Sequence, residues 1–226
     1  MQTVDFEACL FDMDGTLIDT EPYWIEGETH LMGEHGGTWS AKQGLALVGS
    51  GLHGTADALR RAGVDMEPRA IIDWLSVYVR DRMNERMPWR PGAVELIAAL
   101  HEARIPVALV TMSFRPTAMA LVDALTRELG KEAFDTVVTG EDVTYSKPHP
   151  EAYLTAADAL GVSISRCVAF EDSGHGAASA FSSGAITIGL PLHVDIPDHS
   201  VHLFWDSLDQ KTPADVNNAF LAGRGQ

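Results

Sequence analysis

Carboxylate, hydroxyl and amine side chains recur in this sequence at the points where short apolar runs stop. The residues at these four points are, in chain order, Asp12 with Asp14, Thr111 with Met112 and Ser113, Lys147, and Glu171 with Asp172. Taken singly, each has an ordinary explanation as a turn, a helix cap, a strand residue or a solvated charge. Together they favour one site, because open parallel sheets bind ligands outside the carboxyl ends of their strands.

Two of these carboxylates, Asp12 and Asp172, suit a magnesium ion. Mg²⁺ takes hard oxygen ligands and usually keeps several waters, so one or two carboxylates and a substrate phosphate are enough to hold it. The sequence therefore predicts Mg²⁺ as the cofactor and a phosphorylated compound as the substrate.

Asp12 and Asp14 are two residues apart, so their side chains project from the same side of an extended chain and can face one phosphorus atom. Beside the metal, an ionised aspartate can attack phosphorus in line and form an aspartyl-phosphate, with no base needed to activate it. A second carboxyl group must protonate the leaving alkoxide and later accept a proton from water. Asp14 suits this second role, and we expect its side chain to stay off the metal.

A phosphoryl group in transfer also needs positive charge and hydrogen-bond donors around its three equatorial oxygens. Lys147, the hydroxyl of Thr111 and the turn that begins at Met112 supply them. Pro148 and Pro150 stiffen the segment that carries Lys147. The sequence therefore predicts a phosphate clamp formed by two separate segments.

From residue 91 onward, apolar runs rich in β-formers alternate with helical stretches of about ten to fifteen residues, which is typical of a parallel α/β sheet. The predicted strands lie in PVALVTMS, FDTVVTG, CVAFEDS, AITIGL and HLFWDSL, and Pro91 is placed to start the first helix. With the apolar run before Asp12, these segments predict a Rossmann-like parallel sheet core flanked by helices.

Residues from about Glu21 to Met87 interrupt this alternation, because they contain several helical patterns and no convincing strand. We therefore predict an inserted small all-helical cap domain at residues 20–87, and an α/β catalytic core formed by residues 1–19 and 88–226. The two connecting strips, DGTLID and MPWRP, suit a hinge.

The composition limits the partners and the location. The chain has 16 basic and 32 acidic residues and a formal net charge of -16, with no basic cluster, so we expect no nucleic-acid partner. Cys9 and Cys167 lie in predicted strands and suit a reducing compartment. Since the amino terminus lacks secretory features and no segment is long enough to span a bilayer, we expect a cytoplasmic protein without a membrane partner, for which a monomer is plausible.

The segments FDMDGT, LVTMS, SKPHPE and FEDSGHG together resemble the haloacid dehalogenase-like hydrolase superfamily, and the likeness covers essentially the whole chain. The chain is most similar to the helical-cap branch, which holds phosphoglycolate phosphatase-like and β-phosphoglucomutase-like proteins. This resemblance implies Asp12 as the nucleophile, and Asp14 as the acid and base that also lends its backbone carbonyl to Mg²⁺. It further implies Thr111 and Lys147 as phosphate ligands.

The resemblance also implies Asp172 as a metal ligand with Glu171 in support. True dehalogenases lack an acidic residue at the place of Asp14, so its presence indicates phosphate ester chemistry. We therefore expect a Mg²⁺-dependent phosphatase for a small phosphorylated metabolite of the phosphoglycolate or sugar phosphate type. Ser50 and His53 are the candidate substrate contacts in the cap.

Two other functions remain open. A β-phosphoglucomutase-like isomerase would use the same residues, although the arginine that such mutases usually carry in the cap loop is absent from VGSGLHG. A catalytically silent binding protein is disfavoured, because every residue type that the chemistry requires is present. His193, His199 and His202 could suggest zinc, but their loop context and the lack of nearby cysteines favour a solvated loop.

Overall fold

The computed structural model describes residues 4–48 and 51–225 of the chain. The chain divides into two compact units, one formed by Met1–Asp19 with Trp89–Gln226 and the other by Thr20–Pro88. The sequence places the second boundary one residue earlier, after residue 87. Among the described residues, no helix combines the length and apolar character needed to cross a bilayer.

The smaller unit contains helices and, in its described part, no strand. Its helices are α1 (Glu21–Glu34), α2 (Ala41–Leu45), α3 (Gly51–Ala62) and α4 (Pro68–Glu85). Both α1 and α3 pack on α4, and the interior between them is apolar, with Leu31, Leu59 and Leu75 fully buried. Glu28 of α1 is buried beside this interior, where one of its carboxylate oxygens accepts a hydrogen bond from Trp39 Nε1 at 2.9 Å.

The larger unit is built around a six-stranded parallel sheet with the strand order β3-β2-β1-β4-β5-β6. The strands are β1 (Ala8–Phe11), β2 (Val107–Val110), β3 (Thr136–Val138), β4 (Cys167–Glu171), β5 (Ile186–Gly189) and β6 (Leu203–Phe204). Every residue of β1, β2, β4 and β5 is buried, as expected for strands that are covered on both faces. The predicted parallel α/β core is thus confirmed.

Helices cover this sheet and connect its strands. They are α5 (Ala93–Glu102), α6 (Arg115–Leu129), α7 (Glu151–Leu160), α8 (Gly174–Ser183) and α9 (Pro213–Gly223). The predicted start of α5 at Pro91 is wrong, because Gly92 precedes the helix with a φ of 82°. A Cβ at Gly92 would lie 2.0 Å from the carbonyl oxygen of Leu208, so the chain can turn here only at a glycine.

Candidate active site

Asp12 and Asp14 follow β1 directly. Asp12 continues the pairing of β1 with β4, since its N–H donates to the carbonyl of Phe170 at 3.1 Å, and the residue is only 8% exposed. The chain then turns at Gly15, which has a φ of 81°. A Cβ on Gly15 would lie 1.9 Å from Asp172 Oδ2, so the Asp172 carboxylate packs directly against this glycine. The turn therefore fixes Asp172 beside the end of β1.

Lys147 reaches the same place from the loop between β3 and α7. Its ammonium group donates to Asp12 Oδ1 at 2.6 Å, to Glu171 Oε1 at 2.6 Å and to the carbonyl of Val110 at 2.9 Å. Burial alone would lower the pKa of Lys147, but the carboxylates of Asp12 and Glu171 outweigh that effect and raise it. Lys147 is therefore charged and held in place across three strand ends.

The loop that carries Lys147 is itself braced. The Glu151 carboxylate at the start of α7 accepts the N–H groups of Thr144 and Tyr145, at 2.9 and 2.8 Å. Further back in the same loop, Asp142 accepts bonds from Thr139 and forms an ion pair with Arg115 at the start of α6. Side-chain hydrogen bonds therefore hold this loop in position, in addition to its prolines.

Glu171, Asp172 and Asp12 form a cluster of carboxylates. Each offers one oxygen, and the three oxygens lie within 4.8 Å of one another. Burial, and after it the charge of Asp12, raise the pKa of both Glu171 and Asp172, while Lys147 acts in the opposite direction. Glu171 Oε2 is buried and has no hydrogen-bond partner among the described residues. Hard oxygen donors, excess negative charge and an unpartnered buried oxygen together fit a divalent cation.

Asp14 lies next to this cluster and contacts the end of β2. The Ser113 hydroxyl donates to Asp14 Oδ2 at 2.7 Å, and the Ser113 N–H donates to Thr111 Oγ1 at 3.0 Å. Thr111 is buried, whereas Met112, between these two residues, is half-buried. The end of β2 therefore holds the orientation of the second aspartate.

The structure brings the predicted core residues together. Asp12, Lys147, Glu171 and Asp172 form one connected cluster, and Asp14 and Thr111 are linked through Ser113. Of the two predicted cap residues, Ser50 lies outside the described residues, and His53 is exposed on α3 of the smaller unit.

Two residues to which the sequence analysis assigns no role contribute to the cluster. The Tyr153 hydroxyl on α7 donates to Glu171 Oε1 at 2.6 Å, and Lys147 Nζ lies 5.1 Å from the centroid of the Tyr153 ring. In the sequence, Tyr153 is one of several apolar positions of a helix, so only the fold shows its polar contact. The sequence places Ser113 at a strand end but indicates no role for it.

Two of the three histidines that could suggest zinc form other contacts. His193 Nε2 is 2.8 Å from Asp19 Oδ1, and His202 Nδ1 accepts the N–H of Thr187 at 3.0 Å. Among the described residues, the carboxylate cluster is the only group of three or more potential ligands with metal-binding spacing, and it contains no histidine.

The motifs of this site occur in a known family. Residues 6–184 match the family model for haloacid dehalogenase-like hydrolases. The chain belongs to this family. This haloacid dehalogenase-like hydrolase is 30% identical to fructose-1-phosphate phosphatase YqaB of Escherichia coli over 189 residues, which cover 83% of this chain and 97% of that protein. It is 32% identical to hexitol phosphatase A of the same organism over 210 residues, 90% of this chain and 92% of that one.

Solved structures of the family show the same architecture. CbbY from Rhodobacter sphaeroides, in complex with phosphate, aligns with a TM-score of 0.80 at 27% identity, covering 94% of this chain and 99% of that one. β-Phosphoglucomutase from Clostridium difficile aligns with a TM-score of 0.77 at 20% identity over 98% of this chain and 100% of that one, a likeness of fold. The family match and the named phosphatases confirm the predicted family and the predicted enzyme class, a phosphoric monoester hydrolase.

Proposed function

We propose that this hydrolase is a Mg²⁺-dependent phosphatase that acts on a small phosphorylated metabolite through an aspartyl-phosphate on Asp12. The observation that carries this proposal is the buried contact of Asp12 with Lys147, beside two further carboxylates and next to Asp14. The names of its relatives, fructose-1-phosphate phosphatase and hexitol phosphatase, favour a sugar or sugar-alcohol phosphate. Phosphoglycolate belongs in the same panel of candidate substrates.

The donor set supports Mg²⁺ as the cofactor. Asp12 and Asp172 would hold the ion, with Glu171 in support and the backbone carbonyl of Asp14 as a further ligand. When bound, Mg²⁺ would offset the negative charge of the carboxylates and of the phosphoryl oxygens. The buried Glu171 Oε2, which has no hydrogen-bond partner among the described residues, would be a suitable oxygen near such an ion.

Lys147 would have two roles in the reaction. In the structure its three N–H bonds are all used, by Asp12, Glu171 and the carbonyl of Val110. A phosphoryl oxygen that binds Lys147 must replace one of these acceptors. Exchange of the Asp12 contact would release the attacking oxygen at the moment when the ammonium begins to stabilise the phosphoryl group. Thr111 and the N–H of Met112 complete the proposed clamp.

Asp14 would move the proton. Its carboxyl is oriented by the Ser113 hydroxyl and follows Asp12 by two residues, so it can reach the leaving oxygen of a group attacked by Asp12. Asp14 would protonate the leaving alkoxide and then, in its ionised form, accept a proton from the water that attacks the phosphoryl group. The same residue would serve both half-reactions.

The test is phosphate release from a panel of hexose phosphates, hexitol phosphates, phosphoglycolate and nucleotides, with and without Mg²⁺. Wild type should require the metal, and Asp12→Asn should be inactive. Asp123→Asn, an exposed aspartate on α6, is the matched control and should retain full activity. Metal-independent turnover, or an active Asp12→Asn variant, would refute the mechanism. Conversion of a sugar 1-phosphate into its isomer in the presence of catalytic bisphosphate, without phosphate release, would indicate the isomerase instead.

The helical unit is the proposed source of substrate specificity, with Ser50 and His53 as the residues to change. His53→Ala should raise KM for the preferred substrate and leave kcat unchanged, since a contact made equally in the ground and transition states affects binding alone. An unchanged KM for every substrate of the panel would exclude His53 from substrate binding.

A further inference from the structure

Arg90 is a buried cation close to the carboxylate cluster. It lies two residues after the second unit boundary and is only 7% exposed. Its guanidinium group donates to the backbone carbonyls of Gly15 and Leu190, the latter at 2.9 Å. The backbone N–H of Arg90 donates to the carbonyl of Leu17 at 2.9 Å. The side chain thus bonds to the backbone of two segments that are far apart in the sequence.

The sheet order shows what these two bonds surround. Gly15 lies in the turn after β1, Leu190 follows β5, and β4 lies between β1 and β5 in the sheet. Asp172 is the first residue after β4. The guanidinium group therefore connects the two strand ends on either side of Asp172, and one of the residues it holds, Gly15, packs directly against the Asp172 carboxylate.

The positive charge of Arg90 also acts on the Asp172 carboxylate. Burial lowers the pKa of Arg90, while the carboxylates of Asp172 and Asp19 act in the opposite direction. An arginine stays protonated even so, because its ordinary pKa is far above neutrality. Burying a charge on backbone carbonyls costs desolvation free energy that an apolar side chain would avoid, so a function for this arginine is favoured over mere packing.

We propose that Arg90 is a positioning residue for the metal site. By bonding the carbonyls of Gly15 and Leu190, it fixes the ends of β1 and β5 and so holds Asp172 where it would bind the cation. The inference rests on the proposed function, because it requires that Asp12 and Asp172 bind a divalent metal.

The experiment measures Mn²⁺ binding to substrate-free protein from the electron paramagnetic resonance signal of free Mn²⁺. Mn²⁺ accepts the same carboxylate ligands as Mg²⁺. Arg90→Met keeps an unbranched apolar side chain but removes the guanidinium group with its donors and its charge, and should weaken Mn²⁺ binding about tenfold, as is usual when a group that orients a metal ligand is lost. Arg90→Lys, which keeps a charge and a donor, should recover part of the loss. Arg127→Met, an exposed arginine on α6, should bind as wild type does.

The direction of the change separates positioning from simple electrostatics. Removal of a nearby positive charge by itself would tighten the binding of a cation. Weaker binding by a folded Arg90→Met protein therefore supports positioning, and equal or tighter binding overturns it. If Arg90→Met fails to fold, as judged by its melting curve, Arg90→Lys decides: weaker binding supports the proposal, and binding equal to wild type overturns it. Equal binding by wild type and Asp172→Asn would instead refute the metal site itself.

Discussion

At the scale of single residues, the cluster depends on hydrogen bonds between side chains that are far apart in the sequence. Glu171 Oε1 accepts from both Lys147 and Tyr153, at 2.6 Å each. Two donors on one oxygen stabilise the ionised carboxylate, whose burial among other acids would otherwise favour protonation. Tyr153 therefore acts on Asp12 indirectly, through Glu171 and Lys147.

Tyr153→Phe should reduce both stability and activity, because it removes one donor to a buried carboxylate. We expect the free energy of unfolding to fall by about 1 to 2 kcal/mol, and kcat to fall several-fold with KM nearly unchanged. Denaturant unfolding and steady-state kinetics measure the two effects. Tyr145→Phe, at a tyrosine that is 59% exposed, is the matched control. A Tyr153→Phe enzyme with wild-type kcat would show that this hydroxyl does not orient the cluster.

At the scale of elements, the turn after β1 joins Asp12, the proposed nucleophile, to Asp172, a proposed metal ligand. Gly15 has a positive φ, which any L side chain would strain, and it has no room for a Cβ because Asp172 Oδ2 would lie 1.9 Å away. Gly130, at the end of α6, also has a positive φ of 67°, but no atom lies within 4 Å of the position of its Cβ. The two glycines thus share a positive φ and differ in how closely other atoms surround them.

Gly15→Ala and Gly130→Ala should therefore behave differently. Both should lose roughly 1 kcal/mol or more of stability, because alanine disfavours positive φ. Gly15→Ala should in addition lower kcat/KM by about 100-fold, since displacement of a catalytic group by about 1 Å has effects of that size. Gly130→Ala should keep wild-type kinetics. Equal kcat/KM in the two variants would contradict the close packing of Asp172 on the turn.

In the smaller unit, Glu28 gives α1 a pH-dependent stability. Burial raises the pKa of this carboxyl, and the hydrogen bond from Trp39 only partly offsets that effect. The folded state therefore binds a proton at Glu28 more readily than the unfolded chain does. The ionised Glu28 carboxylate destabilises the folded protein fully at a pH above the folded pKa. This destabilisation disappears as the pH falls below the pKa of the unfolded chain.

Glu28→Gln removes this titration while keeping an oxygen that can accept from Trp39. Relative to wild type, its melting temperature should be higher at pH 7.5, by about 2 °C, and the difference should shrink as the pH is lowered toward 4. Thermal melts across this pH range provide the measurement, with the exposed Glu34→Gln on the same helix as a control. A difference that grows on acidification would show that the carboxylate is stabilised, not destabilised, by its surroundings.

At the scale of the whole molecule, the sequence predicts the parallel sheet and the positions of the proposed catalytic residues for one physical reason. Buried parallel strands are short apolar runs, and their carboxyl ends meet at one edge, so the residue after each run could be placed without knowing any contact. Tyr153 bonds to a residue that is 18 positions away in the sequence, and Arg90 to one that is 75 positions away. Such pairings follow only from the packed fold.

The start of α5 shows a second limit of sequence reasoning. Proline at the first turn is a sound local signal, but the backbone of Leu208 approaches Gly92 so closely that the chain turns there first. The local preference of Pro91 for a helix start therefore does not decide where α5 begins, because Leu208, more than a hundred residues away, packs against the chain at Gly92. The strand predicted in HLFWDSL was likewise shortened to Leu203–Phe204, because it pairs with β5 on one side only.

The proposed mechanism requires that Asp12 becomes phosphorylated and that Asp14 acts mainly as a proton carrier. The most direct test is a rapid-quench experiment on Asp14→Asn with p-nitrophenyl phosphate and Mg²⁺, because this leaving group needs no acid. We predict a burst of one p-nitrophenolate per enzyme, slow turnover afterwards, and a phosphoryl group on the peptide that contains Asp12 after acid quenching. No burst and no label on that peptide in an enzyme that still turns over, or the same burst in Asp12→Asn/Asp14→Asn, would contradict the account.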